Sequence, residues 1–198
     1  MDINTLKSEI LGLEPQDFVE NYIIGSRSGF VSEEQIERIR NTVSRATGIE
    51  IQPCEVIIVG SAKIGFGLFE KKRRDQPTLP AFRPFDGNSD IDIAFASPAL
   101  FDAIWSELAA YANGKPWMPH RMNKLGDYLV YGWLRPDHVP REIRLTTYDL
   151  WQDTIRRLNA STHFNRRKLS GALYRNIEFL IKYQSRGIAQ CKIKLESP

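Results

Sequence analysis

Cysteine is scarce here: Cys54 and Cys191 are the only two in 198 residues. Their spacing suits neither a zinc site nor a disulfide framework, and it fits a chain made for a reducing cytosol. Histidine is nearly as rare, and His120, His138 and His163 lie in unrelated segments with no ligand spacing. No apolar run approaches the ~20 residues that cross a bilayer. The opening MDINTLKSEI has no basic stretch followed by an apolar one, so no secretory leader is expected. A cytoplasmic location and no membrane partner are therefore expected. Charge of one sign is lacking too. The 27 Lys and Arg face 24 Asp and Glu, a net +3, too mild by itself to mark a nucleic-acid binder but compatible with a polyanionic ligand such as a triphosphate.

What is present is an ordinary globular composition, 42% hydrophobic and 26% charged, without internal repeats or low-complexity tracts. Residues 3–24 carry apolar positions at helical spacing (Leu6, Ile10, Phe18, Tyr22, Ile23), interrupted near Glu14-Pro15. Ser32 opens a Ser-Glu-Glu-Gln string that predicts a capping box, with Ile36, Ile39, Val43 and Ala46 repeating behind it up to Gly48. CEVIIVG, residues 54–60, reads as a buried strand feeding a glycine turn, and DIDIAFA, residues 90–96, as a second strand. Ser97-Pro98 predicts an N-cap and first-turn proline for a helix to about Ala112. Further helices are expected over about 122–133, 149–158 and 169–184, and REIRLTTY, from residue 141, reads as a third strand. The fold class expected is α+β (α/β): a small mixed sheet flanked by helices. It would form one domain over 1–198, with N-terminal helices to 50, a sheet core over 51–150 and a C-terminal helical cap.

Two motifs carry chemistry. VGSAKIG, residues 59–65, ends a strand. Gly60 there would admit a ligand close to the backbone, while Ser61 and the following amides would donate to phosphate oxygens. Alone, a glycine–serine turn is usually just a turn. SDIDI, residues 89–93, puts Asp90 and Asp92 on one strand face and Ile91 and Ile93 on the other. Two adjacent carboxylates repel unless a cation lies between them, and Mg²⁺ favours one or two carboxylates with phosphate and water. The bland alternative is a solvated, aggregation-resistant edge.

Together, Gly60, Ser61 and Gly65 followed one strand later by Asp90-x-Asp92 resemble the signature of the DNA polymerase beta-like nucleotidyltransferase superfamily. The longer string GSAKIGFGL…PF…SDIDIAFASPALFDAIW is similar to uncharacterised bacterial nucleotidyltransferase-like proteins, some linked to phage defence. The resemblance covers roughly residues 55–150. It implies a nucleotidyltransferase-like fold and metal-dependent transfer of an NMP or dNMP from a nucleoside triphosphate to a hydroxyl acceptor, whether an RNA or DNA end, a nucleotide or a protein. Pyrophosphate would leave. It implies Mg²⁺ (or Mn²⁺) on Asp90 and Asp92, and Ser61 and nearby amides on the triphosphate. Lys63, inside the turn, is a further candidate for phosphate contact. Arg175 and Lys182, seven apart on the last helix and so expected on one face, are candidates for nucleotide contact, since related enzymes use a helix after the sheet in this way.

The family places a third carboxylate on a neighbouring strand. If REIRLTTY is that strand, Arg144 takes the acid's place between Ile143 and Leu145, and Glu142, sharing its face, is the candidate third metal ligand and catalytic carboxylate. Asp149 is expected to cap the next helix. Were Arg144 to replace the acid, a nucleotide-binding pseudoenzyme or antitoxin-like regulator is the alternative. About thirty residues separate Ser61 from Asp90, so 66–88 reads as an insertion. Its Lys71-Lys72-Arg73-Arg74 cluster could close over phosphates or guide a polynucleotide, or simply be solvated. Trp133 is expected to pack, and Tyr174 and Tyr183 to be core or boundary residues.

Overall fold

Capping, turn chemistry and β-branched runs determine most element boundaries in the computed structural model, which describes residues 1–73, 76–114, 122–140, 142–165 and 167–197, without the side chains of 73, 76 and 122. Arg74, His120, Arg141 and Arg166 lie outside the described residues. Helix α1 (Ile3–Gly12) starts where the Asp2 carboxylate accepts from the Asn4 and Thr5 amides. Glu14-Pro15 breaks the pattern as expected, and α2 (Pro15–Val19) takes proline at its first position and runs on into a π-helical turn, Glu20–Ile24. The capping box forms at α3 (Glu33–Thr47): the Gln35 amide donates to Ser32 Oγ at 3.2 Å, and Gln35 Oε1 accepts from the Ser32 amide at 2.9 Å. The helix stops at Gly48, whose φ of 70° is left-handed. Ser32→Ala is expected to destabilise the protein by ~1 kcal/mol. That is a fall of roughly 2–4 °C in melting temperature for a chain this size, and an unchanged melt would refute the cap's contribution.

Strand β1 (Val56–Val59) then enters the Gly60 turn and a single helical turn, α4 (Ser61–Ile64). The expected loop over 66–88 is instead built of two ribbons. Strands β2 (Phe66–Gly67) and β5 (Arg83–Pro84) pair with each other, and between them lie β3 (Lys71–Arg73) and β4 (Gln76–Leu79), also paired. Strand β6 (Ile91–Ala96) follows, then α5 (Pro98–Asn113), in which Pro98 occupies the first turn but the buried Ser97 hydroxyl makes no capping bond. Helix α6 (Met122–Val130) and the short strand β7 (Trp133–Leu134) lead to α7 (Thr146–Asn159).

Two expectations fail in this half of the chain. The described part of REIRLTTY makes no strand: residues 142–145 form a turn and irregular backbone. Ile143 and Leu145 are buried in the core, and Glu107 of α5 accepts from the Thr147 amide (2.9 Å) and hydroxyl (2.8 Å), which pulls Thr146 and Thr147 into α7. Asp149 lies within the first turn of that helix, one turn beyond the cap position expected of it. The stretch from 169 is not one helix either. Leu169–Tyr174 is strand β8, and α8 (Ile177–Glu196) begins only where the Asn176 side chain accepts from the Phe179 amide.

The resulting α+β fold carries a mixed four-stranded sheet of order β1-β6-β8-β7. Strand β6 runs antiparallel to β1 and parallel to β8, and β7 closes antiparallel on the far end of β8. One face, with Ile58, Ile91, Ile93, Phe95 and Leu173, packs under α3, α5 and α7. Trp151 of α7 is its largest fully buried side chain and meets Phe95 edge-on at 5.7 Å. The other face, with Val59, Ala94, Ala96 and Tyr174, packs under α1, α2 and α8. Among the described residues no helix is long and apolar enough to cross a membrane.

Candidate active site

The alternation of β6 places its acids as expected: Ile91 and Ile93 are buried on one face, and Asp92 turns to the other, with Asp90 just ahead of the strand. The antiparallel register sets Asp92 opposite Val59, the last residue of β1, so its carboxylate reaches the glycine turn. Gly60 has φ 64° and ψ −151°, a conformation open almost only to glycine. A Cβ built there would lie 2.8 Å from Asp92 Oδ2. The turn and the acidic pair therefore form one site, and Gly60 is required twice, by its dihedrals and by this contact.

The Asp92 carboxyl is half-buried and is pushed up to about 6, first by burial and then by the charge of Asp90; Lys71 and Lys168 pull it down only partly. Both lysines lie nearer Asp90, with Lys71 Nζ 3.5 Å and Lys168 Nζ 3.9 Å from Asp90 Oδ2. The insertion thus brings one of its basic side chains onto the acidic pair. Arg167 donates to the Asp86 carbonyl and stacks over Phe85 at 4.6 Å, holding the segment that leads into Asp90.

A cavity of about 700 Å³ opens on this site, within the range of small-ligand pockets. Gly60, Ser61, Asp92 and Lys71 line it. Aromatic rings line it too. Trp133 contacts Tyr183 (centroids 4.4 Å) and Tyr128 (4.9 Å) and lies parallel to the buried Tyr174 at 5.9 Å. Arg186 of α8 lies 4.8 Å over the Tyr131 ring. Trp133 packs as expected, but one of its surfaces belongs to the cavity. Sequence reasoning missed Tyr128, Tyr131, Arg186 and the lysine pairing. For Arg186 a legible signal was the polar–aromatic face of α8, once its start is set at Asn176; Tyr128 and Tyr131 belong to α6 and the turn after it.

Other expected site residues fall elsewhere. Lys63 is buried and donates its ammonium to the Ser26 carbonyl, so it braces the segment before α3 instead of lining the cavity; burial lowers its pKa. Arg175 precedes α8, so it does not share a helix face with Lys182, and it pairs with Asp102 at 3.1 Å. Lys182 lies 5.9 Å over Phe179, and neither lines the cavity. Glu142 is exposed on the turn before α7 and is not gathered with Asp90 and Asp92, because the strand that was to carry it does not exist. The residue beside Asp92 on the neighbouring strand is Ser170. Among the described residues no group of three or more His, Cys, Asp and Glu could hold a metal ion, so the site offers a carboxylate pair. No protein-family model matches the chain, and no curated protein or solved structure matches it either.

Proposed function

We propose that the chain is a metal-dependent nucleotidyltransferase of the DNA polymerase beta-like superfamily, moving an NMP or dNMP from a nucleoside triphosphate to a hydroxyl acceptor and releasing pyrophosphate. The observation that carries this reading is the Asp92 carboxylate. It is half-buried, raised in pKa and incompletely compensated by cations, and it is packed onto a glycine turn at the mouth of a nucleotide-sized cavity. Perturbed acids in clefts are where function concentrates. Such a pair fits a Mg²⁺ or Mn²⁺ ion by its chemistry: two oxygen donors on one face, short of positive charge, suit a hard cation that also takes phosphate oxygens. Asp90 and Asp92 would hold the ion. When bound, it would neutralise charge on the reacting phosphate and activate the attacking hydroxyl.

The chain's own groups do the rest. Gly60 lets phosphate oxygens approach the backbone, and Ser61 donates its hydroxyl to them. Lys71, exchanging Asp90 for phosphate, adds a mobile positive charge. The Trp133–Tyr183 wall and the Arg186–Tyr131 pair give a base a stacking surface. The likeness to phage-defence proteins extends the proposal to an antiphage role. A second reading, a nucleotide-binding pseudoenzyme or antitoxin-like regulator, is favoured by one observation, Ser170 beside Asp92 where a third carboxylate would stand.

Incubation with each labelled NTP and dNTP plus Mg²⁺ or Mn²⁺ separates the two. Pyrophosphate release lost in Asp90→Ala is expected, whereas tight nucleotide binding with no pyrophosphate from any triphosphate establishes the regulator. In the same assay Glu142→Gln is expected to leave turnover within about twofold, as surface changes away from a site do. A thousandfold loss would return Glu142 to the metal site.

A further inference from the structure

A second groove, of about 540 Å³, lies along the outer edge of β8, and Trp133 and Tyr183 line both it and the nucleotide cavity. Among the described residues β7 pairs with β8 only at Leu173 and Tyr174, and no strand covers the edge of the first part of β8. The Lys168 carbonyl accepts from the Ile91 amide at 2.8 Å. In a parallel ladder such bonds recur at every second residue, so the peptide groups of Leu169 and Gly171 face outward. Asn159 Oδ1 takes the Leu169 amide at 2.6 Å, and the Gly171 amide is left facing the groove. Arg135, Arg156 and Lys168 bring three cations to this groove. Asp137 pairs with Arg135 at 2.6 Å, Asp153 with Arg156, and Asp90 with Lys168 at 3.9 Å. Since Arg156 and Lys168 are largely exposed, those two weak pairs can give way to phosphate. Two side-chain donors of its lining, Gln152 Nε2 and Trp133 Nε1, are buried and find no hydrogen-bond partner among the described residues, and such donors are expensive until an acceptor reaches them. The groove meets the carboxylate pair at Ser170, the register neighbour of Asp92.

The geometry points to this groove as the binding site for the single-stranded end of a nucleic acid, with phosphates on Arg156, Lys168 and the Gly171 amide, and a terminal base against Tyr183. Cationic grooves flanked by aromatic rings are how single strands are held without sequence preference. The fate of the bound end rests on the transferase reading; its binding does not. In that fate the terminal hydroxyl oxygen bonds to the α-phosphorus, the bond from that phosphorus to the bridging oxygen breaks, pyrophosphate leaves with the electron pair, and the hydroxyl proton passes to solvent.

The test measures fluorescence anisotropy of a 5′-labelled ten-nucleotide oligo-uridylate, and its DNA counterpart, with the full chain across a salt series. Arg156→Glu is expected to weaken binding about tenfold and to reduce the slope of log affinity against log salt by about one. Arg156→Ala should fall between it and the unmodified protein. Arg45→Glu, an equal charge change on the surface of α3 outside the groove, should bind as the unmodified protein does. Unchanged binding in Arg156→Glu, an equal loss in Arg45→Glu, or preference for a labelled acidic peptide over the oligonucleotide would each overturn the proposal. Arg156-dependent binding with no pyrophosphate from any triphosphate supports the groove and removes the transferase reading, so the two failures are separable.

Discussion

Asp92→Asn is expected to raise the melting temperature at pH 7.5 while abolishing turnover. Burial and Asp90 raise the folded pKa of Asp92 from 3.8 to about 6. The folded state therefore favours the protonated carboxyl. That contribution is complete below about pH 4 and is lost as pH rises through 6, so near neutrality the ionised group opposes folding. Two units correspond to at most ~3 kcal/mol. Allowing for the side chain's partial exposure, ~1–2 kcal/mol is expected, or roughly 2–8 °C. Asparagine removes the charge and keeps the shape, so its stabilisation at pH 7.5 should shrink to nothing by pH 4. Loss of a metal-binding carboxylate typically removes several kcal/mol of transition-state stabilisation, about a thousandfold in rate. Thermal melts at pH 4, 5.5 and 7.5, with and without Mg²⁺, check both halves. Mg²⁺ should stabilise the unmodified protein and not the variant. A variant destabilised equally at every pH would show that Asp92 is a structural hydrogen-bonding group.

Gly60→Ala is expected to cost roughly 1–3 kcal/mol of stability, because the dihedrals at Gly60 are nearly closed to other residues. It should also weaken nucleotide binding at least tenfold, since the new methyl would stand 2.8 Å from Asp92 Oδ2 and drive the carboxylate from its place. A double-mutant cycle separates the two causes. In the Asp92→Ala background the collision vanishes and only the dihedral penalty persists, so a coupling of about 1 kcal/mol is expected. Strict additivity would mean that the turn and the acid do not touch in solution.

The parts of the site legible beforehand are those whose signals are local. Period-two alternation oriented Asp90 and Asp92 away from Ile91 and Ile93, a β-branched run ending in glycine located Gly60-Ser61, and Ser32-x-x-Gln35 marked the start of α3. What misled was periodicity without tertiary context. Leu169, Leu173 and Ile177 sit at helical spacing, yet Leu169, Gly171 and Leu173 also alternate, and a vacant edge on β6 decided in favour of a strand. Ile143 and Leu145 alternate as a strand would, yet both are buried in the core beneath the helices, and Glu107 reached from 40 positions away to start α7 at Thr146. Lys63 looked like a phosphate ligand because it lies in the turn; its direction depended on where the Ser26 carbonyl came to rest.

By itself, then, the order of residues determined the α+β class, the glycine turn and the facing of the acidic pair, because φ/ψ preference and side-chain alternation act over a few neighbours. Only the tertiary structure decided that the turn meets Asp92, that Ser170 and not Glu142 stands beside it, and that Lys71 and Lys168 gather at Asp90. Those outcomes rest on strand register and on pairings between distant segments, whose free energy appears only once the sheet has closed.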